Sequence, residues 1–142
     1  MTDCIFCKIV DGEIPSRTVY EDDEVIAFLD VNPLSRGHTL VVPKEHEASL
    51  DDLGDEVHDA VIETVHGIAP DVTEAVDAPA YNLGINNGPE AGQEVPHVHY
   101  HVVPRFEGDG GGPIHAIMPS PPEIPDGEMD DIEEAVGDEI EG

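Results

Sequence analysis

The sequence contains very little positive charge. Its five basic residues are Lys8, Arg17, Arg36, Lys44 and Arg105, against 33 acidic residues, and the formal net charge is −28. Proteins that bind a nucleic-acid backbone or an anionic membrane surface need clustered lysine and arginine side chains. We therefore expect neither a nucleic acid nor a membrane among the partners, and any anionic ligand has to be small.

The acidic residues are spread along the whole chain. Residues 119–142 hold ten of them and no basic residue, and the rest are distributed over residues 1–118. In molar salt the Debye length falls to about 3 Å, so that a dense set of carboxylates repels itself far less than in dilute buffer. The spread predicts a halophilic protein from an archaeon, whereas an acidic protein that binds a basic partner would concentrate its charge in one block.

Long hydrophobic runs and cysteine are also scarce. No apolar run approaches the ~18 residues that a membrane span requires, and the start, MTDCIFCKIV, lacks the basic region and the long apolar region of a secretory signal. These absences predict a cytoplasmic protein. The two cysteines, Cys4 and Cys7, are too few and too close to cross-link such a domain, and a cytosolic location disfavours a structural disulfide.

The hydrophobic pattern predicts an α+β fold, in which an antiparallel sheet packs against one main helix. Apolar residues spaced by three or four positions from about Asp52 onward trace one face of this helix. Pro70 has to kink the helix, which we favour, or divide it after Ala69. The strands are predicted from apolar runs bounded by turn residues, at residues 24–29, 38–43, 80–86 and 97–103.

The end of the chain differs in composition from the rest. Residues 119–142 contain four prolines and ten acidic residues, with too few apolar side chains to order by themselves. We therefore predict one domain over residues 1–118, followed by an acidic tail over residues 119–142 that is disordered or docked on a partner. Within the tail, residues 128–140 could form a short acidic helix.

Three histidines alternate with apolar residues in HVHYHVV, residues 97–103. In a strand, His97, His99 and His101 would share one face, toward solvent or a cleft, while the residues between them point to the core. At about 3.3 Å per residue the outer two lie roughly 13 Å apart, too far for one zinc ion with Zn–N bonds of about 2.1 Å. The row suits an elongated anion such as a phosphate chain.

The same histidines suit nucleophilic chemistry. Neutral imidazole attacks phosphorus at neutral pH without prior deprotonation, because its ordinary pKa is about 6.5. One ring can attack while its neighbours bind the anion. The glycine-containing loop over residues 88–95 offers backbone N–H groups, and His38, at the head of an adjacent strand, adds a fourth imidazole.

The residues around this row resemble the signature of the histidine triad family. GPEAGQEVPHVHYHVVPR matches its pattern of His-x-His-x-His followed by apolar residues. Two upstream segments are similar to the prokaryotic Hint-like branch, CIFCKIVDGEIPSRTVYEDDEVIAFLDVNPLSRGHTLVVPKEH and YNLGINNG. The resemblance covers about residues 3–106 and implies the HIT-like fold.

This resemblance implies a homodimer that binds purine nucleotides and cleaves them at the α-phosphate through a nucleotidyl-histidine intermediate. It makes His99 the nucleophile, while His101 and His38 orient it and contact the phosphate, and Asp30 holds the ribose hydroxyls. The residues that would cradle the phosphate are Asn86, Gln93, Glu94 and Val95.

Two departures from the family pattern bear on substrate choice. Glu94 falls where eukaryotic members carry a small hydroxyl residue near the leaving group, so a carboxylate there alters leaving-group preference. The sequence also has no tryptophan to line that side of the site. The expected activity is that of a nucleoside phosphoramidase. The alternatives are a diadenosine polyphosphate hydrolase, a nucleotide-binding interaction module with little catalysis, and a zinc-dependent hydrolase.

The pair Cys4-x-x-Cys7 is half of a zinc site by its spacing. The resemblance to bacterial and archaeal members with this opening, and to galactose-1-phosphate uridylyltransferases, implies the other half. It assigns the remaining ligands to His46, after VVPK, and to His97, the first histidine of the triad. The prediction is a structural zinc ion, and the alternatives are a redox pair or plain buried thiols.

Overall fold

The computed structural model describes residues 4–142, which form two units. The first unit ends at Gly111 and contains a five-stranded antiparallel sheet. The strands are β1 (Thr18–Glu21), β2 (Val25–Leu29), β3 (Thr39–Pro43), β4 (Ala80–Ile85) and β5 (Tyr100–Arg105). They lie in the order β1-β2-β3-β5-β4. The α+β prediction is confirmed, although β1 had not been predicted.

A helix packs on each face of the sheet. Strands β2 and β3 alternate their side chains between the two faces, so each face carries its own apolar cluster. On one face lies α2 (Asp55–Ala75), whose Val61, Val65 and Ala69 are buried. On the other lies the short helix α1 (Ile5–Val10), whose buried residue is Phe6. This second face is the one that carries the candidate site.

The main helix is continuous through Pro70. It extends from Asp55 to Ala75 as a single element, so the alternative of a second piece after Ala69 is wrong. Proline removes one backbone N–H from the helix interior. The hydroxyl of Thr73 donates hydrogen bonds to the carbonyl oxygens of Ala69, at 3.0 Å, and Pro70, at 2.9 Å, which adds side-chain hydrogen bonds to the turn that follows the proline.

The histidine segment departs from the predicted strand. Strand β5 begins only at Tyr100, so His97 and His99 precede it. The prediction of one strand carrying all three histidines is therefore wrong, and these two side chains are buried, at 0% and 7% exposed. The cause is a local turn, in which the N–H of His97 bonds to the carbonyl of Val95 at 2.8 Å, together with coverage by α1.

Val98 and Val102, which were predicted to point to the core, are buried, at 1% and 0% exposed. Pro104, predicted to end the strand, lies inside β5. Its missing N–H is tolerated because β3 pairs with β5 only from Tyr100 to Val102.

The second unit, Gly112–Gly142, contains the helix α3 (Asp126–Glu141), which includes the residues 128–140 predicted as an acidic helix. Its apolar side chains at Met129, Ile132 and Val136 are exposed. Docking of the tail on a partner stays a prediction. None of the helices within residues 4–142 is both long enough and apolar enough to span a membrane.

Candidate active site and metal centre

A single hydrogen bond fixes the imidazole of His99. Its Nδ1 lies 2.8 Å from the main-chain carbonyl oxygen of His97. A carbonyl oxygen only accepts hydrogen bonds, so Nδ1 carries the hydrogen and donates it. The neutral ring therefore has its lone pair on Nε2, which makes that nitrogen the nucleophilic atom of the residue.

A series of hydrogen bonds connects His38 to His101. The N–H of Leu34 donates to Nδ1 of His38 at 3.0 Å, so neutral His38 carries its hydrogen on Nε2. That atom donates to Nδ1 of His101 at 2.9 Å, which leaves the hydrogen of His101 on Nε2. Among buried side-chain nitrogen and oxygen atoms of residues 4–142, this Nε2 has no hydrogen-bond partner. It is an N–H donor suited to an anionic ligand.

Both rings of this series are neutral at pH 7. Burial, followed by the proximity of His99 and His38, lowers the pKa of His101 from 6.5 to about 4, against the opposing carboxylate of Asp30. Burial is also the main reason that the pKa of His38 is lowered, again against Asp30. The centroid of the His101 ring lies 5.0 Å from that of His99, so a neutral N–H donor lies beside the ring of His99.

The turn between β2 and β3 brings Asp30 next to His38. The N–H of Asp30 bonds to the carbonyl of His38 at 2.9 Å, and the carboxylate accepts from the N–H of Asn32 at 2.9 Å. Its second oxygen is 3.7 Å from Nε2 of His38. Asp30, His38 and His101 have donor atoms within 4.8 Å of one another, as the ligands of a metal ion would. Nε2 of His38 and Nδ1 of His101 are 2.9 Å apart, however, so we interpret the three residues as a hydrogen-bonded group.

The loop before the histidines is ordered by Gln93. Its side-chain oxygen accepts from the N–H of Gly88 at 2.8 Å, and its amide nitrogen donates to the carbonyls of Ala48 at 2.8 Å and Val95 at 3.0 Å. Glycine is required at Gly88, where φ is 103°. The amide of Gln93, predicted to bind phosphate, thus holds the loop together.

Two other residues of the predicted phosphate cradle differ in burial. Val95 is half-buried and packs against the apolar cluster around Phe6, whereas Glu94 is exposed. The side chain of Asn86 lies beside the loop at Gly92.

The four residues of the predicted zinc site lie close together, although the first and the last are 93 positions apart in the sequence. Their donor atoms, on Cys4, Cys7, His46 and His97, all lie within 4.8 Å of one another. Nδ1 of His97 is 3.3 Å from Sγ of Cys4, 3.7 Å from Sγ of Cys7 and 3.1 Å from Nδ1 of His46. Zn–S bonds of about 2.3 Å and Zn–N bonds of about 2.1 Å in a tetrahedron give edges of about 3.4–3.8 Å. The donor set therefore fits a tetrahedral zinc ion.

Neighbouring groups prepare these ligands for a cation. Nε2 of His97 donates to the carbonyl of Pro43 at 2.8 Å, so the lone pair of Nδ1 is directed at the cluster. Metal-binding histidines commonly donate their other ring N–H to a carbonyl in this way. The N–H of Cys7 donates to Sγ of Cys4 at 3.4 Å. Burial and the Cys4 thiol raise the pKa of Cys7 to about 11, so a thiolate there requires a cation.

Three contributors to the site had not been predicted: the ring of Phe6, the N–H of Leu34 and the carbonyl of Pro43. The two backbone groups belong to positions whose side chains give no indication of this role. In the sequence, Phe6 is an ordinary apolar residue, and nothing near it indicates that its ring contacts His99.

Comparison with known proteins identifies the family. The model of the HIT domain matches residues 11–108 of this chain. The chain belongs to the HIT domain family. The predicted histidine triad resemblance is therefore confirmed, and the five-stranded α+β architecture is the fold shared by its HIT relatives of known structure.

Individual HIT proteins share much of the chain. An uncharacterised HIT-like protein of Methanocaldococcus jannaschii is 50% identical over 109 residues, which are 75% of this chain and 82% of that protein. An adenosine 5′-monophosphoramidase of Schizosaccharomyces pombe is 45% identical over 102 residues, 72% of this chain and 74% of the relative. A zinc-bound histidine triad family protein from Mycobacterium smegmatis is 41% identical, with a TM-score of 0.73, and the match covers 77% of this chain and 79% of that protein.

The lowered pKa of His101 predicts a specific pH dependence of stability. As the pH falls from 6.5 toward 4, the unfolded chain protonates this residue and the folded one does not, so the free energy of unfolding decreases. Between pH 7 and 4.5, wild type should lose about 2 kcal/mol more than His101→Gln. Urea titrations in molar KCl measure the difference. His66→Gln, at an exposed position, is the control, and equal pH slopes in wild type and His101→Gln would contradict the assignment.

Proposed function

We propose that this HIT protein is a nucleoside phosphoramidase-type hydrolase that acts at the α-phosphate of a purine nucleotide. The observation that carries the proposal is the tautomer of His99, whose Nδ1–H donates to the carbonyl of His97 at 2.8 Å. It leaves the lone pair on Nε2, which becomes the attacking atom. The S. pombe relative named as an adenosine 5′-monophosphoramidase supports the same substrate class.

The reaction proceeds in two displacements. In the first, Nε2 of His99 forms a bond to the α-phosphorus as the P–N bond to the leaving amine breaks, and the amine departs neutral after taking a proton from water. The ring becomes a cation whose Nδ1–H is held by the carbonyl of His97. In the second, water attacks phosphorus, its proton passes to solvent, and Nε2 recovers its lone pair as the nucleoside monophosphate leaves.

His101 and Asp30 bind the nucleotide in this proposal. The N–H at Nε2 of His101, buried and without a partner within residues 4–142, donates to a phosphate oxygen, and it becomes more effective as negative charge develops there. His38 fixes the tautomer of His101 through the 2.9 Å bond. The carboxylate of Asp30 accepts from the ribose hydroxyls, and the backbone N–H groups at Glu94 and Val95 complete the phosphate cradle with the side chain of Asn86.

We also propose that Cys4, Cys7, His46 and His97 hold a structural zinc ion. All four positions of a tetrahedron are supplied by the protein, as in structural zinc sites. Such an ion would cross-link the start of α1 to the segment after β3 and to the segment that precedes β5. The zinc-bound relative from M. smegmatis supports the assignment. A closed ligand set also argues against the alternative of a zinc-dependent hydrolase.

The proposed active form is a homodimer built on the edge strand β4. That strand ends the sheet, so its outer side has no strand partner among residues 4–142. Its side chains Tyr81 and Leu83 are 40% and 43% exposed, as is Ile62 of α2 at 40%. An exposed apolar edge is a ready surface for pairing with a second copy.

The composition further supports a salt-adapted, cytoplasmic enzyme.

Replacement of the nucleophile tests the proposed reaction. His99→Ala should retain the fold and lose turnover of adenosine 5′-phosphoramidate by at least about 10³-fold, because the bond-forming atom is removed. Steady-state rates in molar KCl measure this, and acid-free quenching followed by mass mapping should locate an adenylyl adduct on His99 of wild type. His66→Ala should behave as wild type. An adduct on another residue, or faster turnover of diadenosine polyphosphates than of the phosphoramidate, would contradict the proposal.

Metal analysis tests the zinc centre. Wild type should bind about one zinc ion per chain, and Cys7→Ser should bind far less under the same dialysis against a weak chelator. Cobalt(II) in place of zinc should give the charge-transfer absorption of thiolate ligands in wild type and far less of it in Cys7→Ser. His58→Ala, which removes a histidine bonded to Tyr100 outside the cluster, should keep the full metal content. Equal zinc content in all three proteins would refute the assignment.

A charge on the edge strand tests the dimer. Leu83→Glu should convert the protein to monomers, because two buried carboxylates would face each other across the pair. Sedimentation in molar KCl measures the mass. Val19→Glu is the matched control, since Val19 is 52% exposed on β1 at the opposite edge of the sheet. A monomeric wild type, or dissociation by the control alone, would contradict this arrangement.

A further inference from the structure

The N-terminal helix α1 connects the metal centre to the ring of His99. Cys4 and Cys7, two members of the metal cluster, flank Phe6 on both sides in sequence. Phe6 is the buried residue of α1, with 6% of its surface exposed. The same short segment therefore contributes two donor atoms to one centre and an aromatic ring to the other.

The ring of Phe6 packs edge-on against two histidines at once. Its centroid lies 5.0 Å from that of His99, with an interplanar angle of 80°, and 5.8 Å from that of His97, at 75°. Both are favourable arrangements for aromatic pairs. His99 also contacts the ring of His101, at 5.0 Å between centroids. The nucleophile thus has ring neighbours in Phe6 and His101 and a hydrogen bond at Nδ1.

A histidine held by one hydrogen bond needs such contacts to keep a single orientation. Rotation of the His99 ring would break the bond from Nδ1 to the carbonyl of His97 and change which nitrogen faces the substrate. The rings on either side restrict that rotation. Positioning of this kind matters because small misplacements of a reacting atom cost large factors in rate.

Helix α1 is too short to hold Phe6 in place by itself. It has six residues, from Ile5 to Val10, and isolated helices of this length are unstable in water. Its N-terminal cap is the thiol of Cys4, which accepts the N–H of Cys7. A cation bound by both thiols would fix the backbone on each side of Phe6.

We propose that Phe6 is a positioning residue for His99, and that zinc binding at Cys4 and Cys7 holds it there through α1. The inference rests on the proposed function, with His99 as the nucleophile. It makes the metal centre part of the catalytic apparatus without any contact between the ion and the substrate. Phe6 acts through the orientation of His99, so its loss changes kcat and leaves KM nearly unchanged.

The test combines a tautomer measurement with kinetics. Nitrogen-15 NMR of the zinc-loaded protein at fixed pH reports the fraction of His99 that carries its hydrogen on Nδ1. Phe6→Leu should lower this fraction and reduce kcat for adenosine 5′-phosphoramidate on the order of 10-fold, with KM within about twofold. Ile26→Val is the matched control, because Ile26 belongs to the same apolar cluster. It should keep the wild-type tautomer and a kcat within about twofold.

The metal link is tested by a double-mutant cycle. Cys7→Ser should lower the Nδ1–H fraction of His99 as Phe6→Leu does, and the double variant should lower kcat no further than the more affected single variant. If Cys7→Ser does not fold, His46→Ala, at the exposed end of the cluster, replaces it. Additive losses would overturn the metal link.

The same data separate this inference from the proposed function. An unchanged tautomer and kcat in Phe6→Leu would overturn the positioning role. Absence of any phosphoramidase activity in wild type would instead remove the proposed function, while the NMR comparison would still decide whether Phe6 orients His99.

Discussion

The hydrogen bond from Nδ1 of His99 to the carbonyl of His97 is the interaction on which the site depends. At 2.8 Å it fixes both the tautomer and the direction of the nucleophilic lone pair. It requires the backbone of His97 to stay in place, and the side chain of that residue is fully buried between the carbonyl of Pro43 and the cysteine pair. One residue therefore joins the proposed metal centre through its imidazole and the proposed nucleophile through its carbonyl. The two proposed centres share this residue.

The proposed function requires the site to bind an anion without cationic side chains. The chain carries a net charge of −28, and the buried imidazoles of His38 and His101 are neutral at pH 7. Attraction to phosphate consequently comes from short-range N–H donors, while high salt reduces the long-range repulsion. Burial both neutralises His101 and makes its N–H more effective toward developing negative charge. Under the proposed function, screening by salt and neutral N–H donors both lower the electrostatic cost of binding an anion to this acidic protein.

Much of the fold and most of the site follow from local sequence patterns. The apolar spacing of α2 and the runs in β2, β3 and β4 are set by periodicities of about 3.6 and 2 residues, and the His-x-His-x-His segment carries the family resemblance that implies the roles of its histidines. Periodicity also led to the wrong expectation of a strand over His97 and His99. The turn at Val95 and the cover provided by α1 depend on contacts between residues some 90 positions apart, such as Cys4 with His97. No local pattern encodes them, and the same applies to the meeting of Phe6 with His99.

The stereochemistry at phosphorus tests the central claim most directly. A covalent nucleotidyl-histidine requires two in-line displacements, each of which inverts phosphorus, so the net result is retention. Direct attack by water gives a single inversion. The measurement uses an adenosine 5′-phosphoramidothioate of known configuration, hydrolysed in ¹⁸O-water by wild-type protein in molar KCl. Retention is the predicted result, and inversion would contradict the role of His99 as the nucleophile.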